Sequence, residues 1–197
     1  MRNIYISVAF LFCSTTLFSQ TEKLVEYLTV PGFKEYSKID LQQHTVLPSG
    51  RYIRPAGTTL RITHDPFGMA ISPDQRVAIT LHENVFSIID FSTQSVKRVP
   101  DYRSKDKGPL QKGSFLGVAF HPKQPWVYLS GGDAGSVIIY DYAENKRIDT
   151  LLLDGIFNKQ KFTGSFTSDL ALIPDADELL VLDRGNFRLV RFDLKSK

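Results

Sequence analysis

The chain has 197 residues, 42% of them hydrophobic and 23% charged, with a formal net charge of +3. That length suits one ordinary domain, and that balance suits a packed core rather than a disordered segment. Acids and bases are interspersed, so the small charge gives no electrostatic reason to expect nucleic acid or an anionic membrane as a partner.

The first stretch, MRNIYISVAFLFCSTTLFSQTEK, has the pattern of an export leader over residues 1–19. Arg2 supplies a positive start, residues 4–12 a short apolar run, and Leu17-Phe18-Ser19 a small residue before a cut that leaves Gln20 as the new terminus. The run is too short to span a bilayer comfortably; an N-terminal core strand or helix is the competing reading. The expected location is therefore outside the cytoplasm, periplasmic or extracellular, with no membrane span. Cys13, the single cysteine, follows Phe12 rather than a small residue at a cut site, so lipid attachment is not expected. The exported chain then has no disulfide, no thiolate metal site and no cysteine nucleophile, and apolar burial has to hold the fold.

Residues 20–46 read as an N-terminal extension, in which 23–30 form a strand or a short helix before the turn at Pro31-Gly32. Residues 47–63, LPSGRYIRPAGTTLRIT, are punctuated by Pro48-Ser49-Gly50 and Pro55-Ala56-Gly57 and read as an outer strand feeding a set of repeats.

The repeats occupy the rest of the chain. Pro73, Pro122 and Pro174 align, and three residues before each stands a small residue: Ala70, Ala119 and Ala171. The prolines preset tight turns after a first strand. Second strands are expected over 77–81, 126–130 and 179–183, and third strands over 85–91, 136–142 and 187–194. Fourth strands are expected over 95–100 and 146–153. The third strands close on Asp90, Asp141 and Asp193, at intervals of 51 and 52 residues. Fixed-period units of four short strands predict an all-β chain, a β-propeller with about three blades over 64–100, 113–153 and 165–197, within a partial propeller of 47–197. Accidental hairpins in a sandwich are the competing reading. The excess over an ordinary propeller repeat sits in two connections, 101–114 and 154–168.

The stretch FGMAISPDQRVAITLHENVFSIIDFST, 67–93, resembles repeats of the YVTN/YncE-like propellers. The phrase LPSGRYIRPAGTTLRI, 47–62, is similar to the start of a narrower group in which an exported propeller precedes an alkaline-phosphatase-like phosphoesterase domain. The resemblance covers about residues 45–197. His82-Glu83 departs from the Thr-Asn of the repeat, His121 from its Ser, and Gln75 and Gln124 stand near its Gly. No position matches the metal ligands or the Ser/Thr nucleophile of the phosphoesterase domain, so no catalytic, cofactor-binding or metal-binding residue is carried over. Three blades do not close a ring. The resemblance therefore implies a fragment, with further blades or a downstream domain; closure by oligomerisation is the alternative.

Propeller geometry places the second-to-third-strand turns and the long connections on one face. That face collects His82, Glu83 and Asn84, then Gly131, Gly132 and Asp133, then Arg184, Gly185 and Asn186. Of these, His82, Glu83, Asn84, Asp133, Arg184 and Asn186 are the candidate contacts for a protein or small-molecule ligand, since loops on a rigid scaffold carry function. His64-Asp65 and His82-Glu83 lack the short spacing of a metal site and read as surface turn residues. His121 reads as a turn-capping donor rather than a base. The Gly-rich SGGDAGS, 130–136, lacks the end of a phosphate loop and reads as a hairpin connection. In DRGN, 183–186, Gly185 is the residue expected at positive φ. The periodic aspartates are expected to bond nearby backbone, and Trp126, Tyr128 and Tyr140 to fill the core.

These readings lead to an exported, non-catalytic binding or scaffolding propeller segment. The alternative is the accessory propeller of a phosphoesterase whose catalytic domain lies beyond residue 197. A lactonase-type propeller enzyme ranks last, because its channel needs convergent acids or histidines and the innermost strands here are apolar and small.

Overall fold

The computed structural model describes residues 28–40, 42–113, 116–173, 175 and 177–195. The leader with Cys13 and the third aligned proline, Pro174, lie outside the described residues. The chain divides into two compact units, one up to Thr59 and one from Leu60.

In the first unit, β1 (Thr45–Val46) pairs antiparallel with β2 (Tyr52–Ile53). Pro48-Ser49-Gly50 turns the chain between them, and the Gly50 N–H donates to the Leu47 carbonyl at 2.8 Å. Gly50 sits at φ 72°, and a Cβ there would lie 2.4 Å from a methyl of Val30, so both conformation and space call for glycine. The expected outer strand over 47–63 is therefore not formed. Its only strand residues are spent on this local hairpin, and β2 adds to no other sheet.

The second unit is built from antiparallel meanders. The first sheet runs β3 (Met69–Ile71), β4 (Val77–His82), β5 (Val85–Asp90) and β6 (Ser95–Val99), in spatial order of the sequence. The second runs β7 (Val118–Phe120), β8 (Trp126–Ser130), β9 (Ser136–Asp141) and β10 (Lys146–Leu152) in the same way. A small hairpin follows, β11 (Gly155–Phe157) with β12 (Gln160–Phe162). The third sheet has three strands, β13 (Thr167–Ile173), β14 (Glu178–Asp183) and β15 (Arg188–Asp193). No helix occurs among the described residues, which makes the chain all-β.

The aligned residues explain why the meander recurs. Ala70, Ala119 and Ala171 pair across the strands with Ile79, Tyr128 and Leu180, so a small side chain always faces a large one. In the first two sheets the side chain before the aligned proline accepts backbone N–H groups that follow it. Ser72 Oγ accepts the Val77 N–H at 2.9 Å, and His121 Nδ1 accepts the N–H groups of Lys123 and Gln124, both at 3.0 Å. His121 is thus a turn cap, but an acceptor rather than the expected donor, which fixes its proton on Nε2. Asp90 and Asp141 each accept two backbone N–H groups of the following turn, and Asp193 accepts one from Lys195. They end their strands as Asx turns.

The core lies between the sheets. Ile79, Leu81, Phe86 and Val99 of the first meet Phe120, Val127, Leu129, Ile138 and Tyr140 of the second, with Leu110 of the connection. On the other side of the second sheet, Tyr128, Val137, Ile139 and Leu153 meet Leu170, Leu179 and Val181. Tyr140 packs edge-on against Phe86, centroids 5.0 Å apart. Each such aliphatic or aromatic side chain contributes on the order of 1.5–3 kcal/mol when fully buried. As a result, all six residues of β9 are buried. In β15 the two faces alternate between partly buried and exposed, because the third sheet is covered on one face only.

Candidate functional site

The six residues expected on the binding face do not form one cluster. His82 is fully buried at the end of β4. Its Nδ1–H donates to the His64 carbonyl at 2.6 Å, and its Nε2 accepts from the hydroxyls of Thr80 at 2.8 Å and Ser87 at 3.1 Å. Every ring nitrogen is used internally, so His82 is removed from the candidate contacts. Burial holds its pKa below the ordinary value of 6.5, and the ring stays neutral. Glu83, at φ 67°, and exposed Asn84 form the two-residue turn after it.

Asp133 is exposed, and its N–H donates to the Lys112 carbonyl at 3.1 Å, tying the hairpin tip of the second sheet to the connection before it. Arg184 is exposed and lies over the Phe166 ring, 5.9 Å from its centre. Asn186 is engaged: its amide donates to Ser165 Oγ and to Asp183 Oδ2, both at 3.1 Å. Gly185 does not take the expected positive φ; Phe187 does, at 51°. A Cβ on Gly185 would lie 2.3 Å from the Gly164 carbonyl, so close backbone approach is what calls for glycine there.

Asp183 occupies in the third sheet the position of His82 in the first, each ending the second strand. Burial would raise its pKa. Hydrogen bonds from Arg188, Ser165, the Phe166 N–H and Asn186 outweigh that and hold it at about 2. Arg188 Nε donates to Asp183 at 2.8 Å, and its other arm reaches the Leu153 carbonyl. Its guanidinium lies 3.7 Å above the Phe162 ring, so the β11–β12 hairpin closes over it. Asp154 accepts the N–H groups of Gly164 and Ser165 at 3.1 and 2.9 Å. Nothing in the sequence pattern marks this network or the hairpin. His82 and Asp183 perform the same task with opposite chemistry. His82 donates to a carbonyl of the segment entering its sheet, and Asp183 accepts an N–H from the segment entering its own. They are clasps that hold hairpin tips to their scaffold.

Arg184 borders a hollow of ≈ 410 Å³ with Asp183, Phe187 and Arg188, and the larger cavities lie elsewhere. A groove of ≈ 590 Å³ runs between β6, the connection after it and the start of β10, lined by Lys97, Arg98, Lys146 and Arg147 with Asp101 and Asp106. Arg98 lies over Tyr102 at 4.3 Å, donates to the Pro100 carbonyl, and has a buried Nε with no partner. Lys146 pairs with Glu144. An adjoining hollow of ≈ 530 Å³ is lined by Asn84, Lys107, Lys112 and again Arg147. Of the expected contacts, Asn84 alone lines this hollow, with Asp133 bonded to one of its lining residues. Lys107 and Lys112 of this lining come from the connection 101–114, and Lys97, Arg98, Lys146 and Arg147 from β6 and β10. Among the described residues no group of three or more His, Cys, Asp or Glu side chains is gathered in a way that would hold a metal ion. No described helix is long and apolar enough to cross a membrane.

No family model matches the chain, and no curated protein matches it. Among solved structures it is similar to hydrazine synthase of Kuenenia stuttgartiensis, at 18% identity and a TM-score of 0.44. The match covers 71% of this chain and 38% of that one, so the chain spans well under half the length of the protein it matches.

Proposed function

We propose that this chain is an exported β-propeller segment of the YVTN/YncE-like type that binds or scaffolds and carries no catalysis of its own. One observation supports it most: the same meander occurs in successive stacked sheets, and internal hydrogen bonds engage His82, Asp183 and Asn186 at the hairpin ends. Such a frame presents loop side chains on a fixed scaffold. The ligand-binding part is the basic hollow and groove around Arg147, where Lys97, Lys107 and Lys112 contribute further cations. Their chemistry selects a small multivalent anion bearing phosphate or carboxylate groups.

Titration of the purified chain with pyrophosphate tests this. We expect saturable binding that weakens at least about tenfold in the Lys107→Ala/Arg147→Ala double variant, since two charge-assisted contacts are worth about 1.5 kcal/mol or more together. Equal affinity in the two proteins contradicts the site. Turnover by the chain that a change on this surface abolishes contradicts the non-catalytic reading. The export reading is checked by N-terminal sequencing of the secreted product, which should start at Gln20.

The resemblance of 47–62 favours a second reading, an accessory propeller that precedes a phosphoesterase domain. A reading frame that continues past Lys197 into a metal-binding domain supports it, and a stop codon there contradicts it.

A further inference from the structure

β6 is the outermost strand of the first sheet, and no described strand pairs with its outer edge. Its register with β5 is unbroken from Ser95 to Val99, so nothing bends that edge away from a further strand. β10, outermost in the second sheet, differs. Its register shifts between Arg147 and Asp149, and such a bulge spoils an edge for pairing.

Alternation along β6 sends its side chains to two faces. Val99 lies in the core toward the second sheet, and Lys97 pairs with Ile88, which packs against that core. Lys97 is therefore on the face toward the second sheet. Arg98, paired with Ser87, is on the opposite face. Each face opens to a hollow at this edge. The groove of ≈ 590 Å³ sets Lys146 and Arg147 beside Lys97. Another hollow, of ≈ 540 Å³, sets Arg61 and Tyr102 beside Arg98. Lys97, Arg98 and Asp101 line both, so the two hollows meet across the edge of β6. Asp101 accepts the Arg103 N–H within its own turn, whereas Arg98 is held ready over the Tyr102 ring.

An added strand uses all of these features together. Its backbone would pair with the outer edge of β6, and its side chains would alternate between the two hollows. Cations on both faces of the edge repel a second copy of β6 and attract carboxylates. We propose that β6 takes an extended acidic peptide of another protein as a fifth strand of the first sheet. Its carboxylates meet Lys97, Lys146 and Arg147 on one face and Arg98 and Arg61 on the other. Main-chain pairing supplies affinity, and the cations select the sequence. This rests on the anion-binding reading of the groove. It goes beyond that reading in naming a polypeptide and in using Arg61, which lines neither hollow around Arg147.

Fluorescence anisotropy tests this beside the pyrophosphate titration. The probe is a labelled peptide in which pairs of glutamates alternate with pairs of threonines, so that both faces carry carboxylates. We expect saturable binding to the purified chain, weakened at least about tenfold in Arg61→Glu. Pyrophosphate affinity in that variant should change by less than about twofold, because screening limits the reach of an exposed charge. The mirror-image peptide of D-residues should bind at least about tenfold more weakly, and outward-facing β6 amides should exchange more slowly in the complex. A mirror-image peptide that binds equally well overturns backbone pairing. Unchanged peptide affinity in Arg61→Glu, or unchanged β6 exchange, overturns the placement of the strand. A polygalacturonate chain of matching charge that binds as tightly overturns the choice of a peptide and assigns the edge to an acidic glycan. Pyrophosphate binding without peptide binding overturns this inference and keeps the anion reading, whereas binding of neither overturns both.

Discussion

His82 shows how much one buried side chain decides. Replacing it with Ala leaves the His64 carbonyl without its donor, deprives the Thr80 and Ser87 hydroxyls of an acceptor, and opens a cavity. The expected cost is about 2–4 kcal/mol, read from urea unfolding. A loss below about 0.5 kcal/mol would show that the clasp is not formed. The same residue sets a pH dependence together with His121. Burial lowers both pKa values below 6.5. The folded state therefore binds fewer protons than the unfolded one, so stability is fully present above about pH 6.5 and falls as pH drops through the lowered values. Asp183 has the opposite charge type but also a depressed pKa, and its contribution disappears only as pH falls from 3.8 toward about 2. Unfolding midpoints measured from pH 7.5 down to 5 should decline, and the decline should shrink in His121→Ser, which restores a neutral hydroxyl cap. The sequence marked His121 as a turn residue because it stands before an aligned proline. It did not reveal that His82 is buried, since a histidine beside Glu83 and Asn84 reads as an ordinary turn and the packing of residue 64 against it is a tertiary fact.

At the scale of elements, the strands of the repeat were legible nearly to the residue. Three columns of alanine, turn and aspartate recur at near-constant spacing, and the tools that make them, small-against-large pairing and Asx turns, are local. The β11–β12 hairpin was not legible. Its turn is Asn158-Lys159, at φ 50° and 67°, without the Gly that usually marks such a turn. Its purpose appears only in three dimensions, where Phe162 covers Arg188. The expected strand over 47–63 failed for a related reason, because β residues between two Pro-Gly turns were sufficient for a local hairpin and specified no partner sheet. Arg188 is the test at this scale. In Arg188→Lys an ammonium keeps one contact with Asp183 but cannot also reach the Leu153 carbonyl, and it stacks less well on Phe162. We expect a loss of about 1–2 kcal/mol and faster proteolysis at Asn158-Lys159. Unchanged cleavage would mean that the guanidinium does not hold the hairpin.

For the whole molecule, the candidate site was the least legible part. Sequence placed six contacts on one face by the alternation of connections. The structure uses His82 and Asn186 as internal ties, leaves Arg184 over Phe166, and brings Asn84 to a basic hollow built largely from the connection 101–114, which the sequence placed on that face without naming any of its side chains. A repeat specifies where loops go and says little about which of their side chains remain free. The second sheet, covered on both faces, is the rigid centre on which those loops are carried. Native-state hydrogen exchange tests that most directly. Amides of β8 and β9 should exchange slowest, near the rate of global unfolding, and those of β15 considerably faster. If β15 exchanges as slowly as β9, the second sheet is not the centre, and the stacking order on which the binding surface rests is wrong.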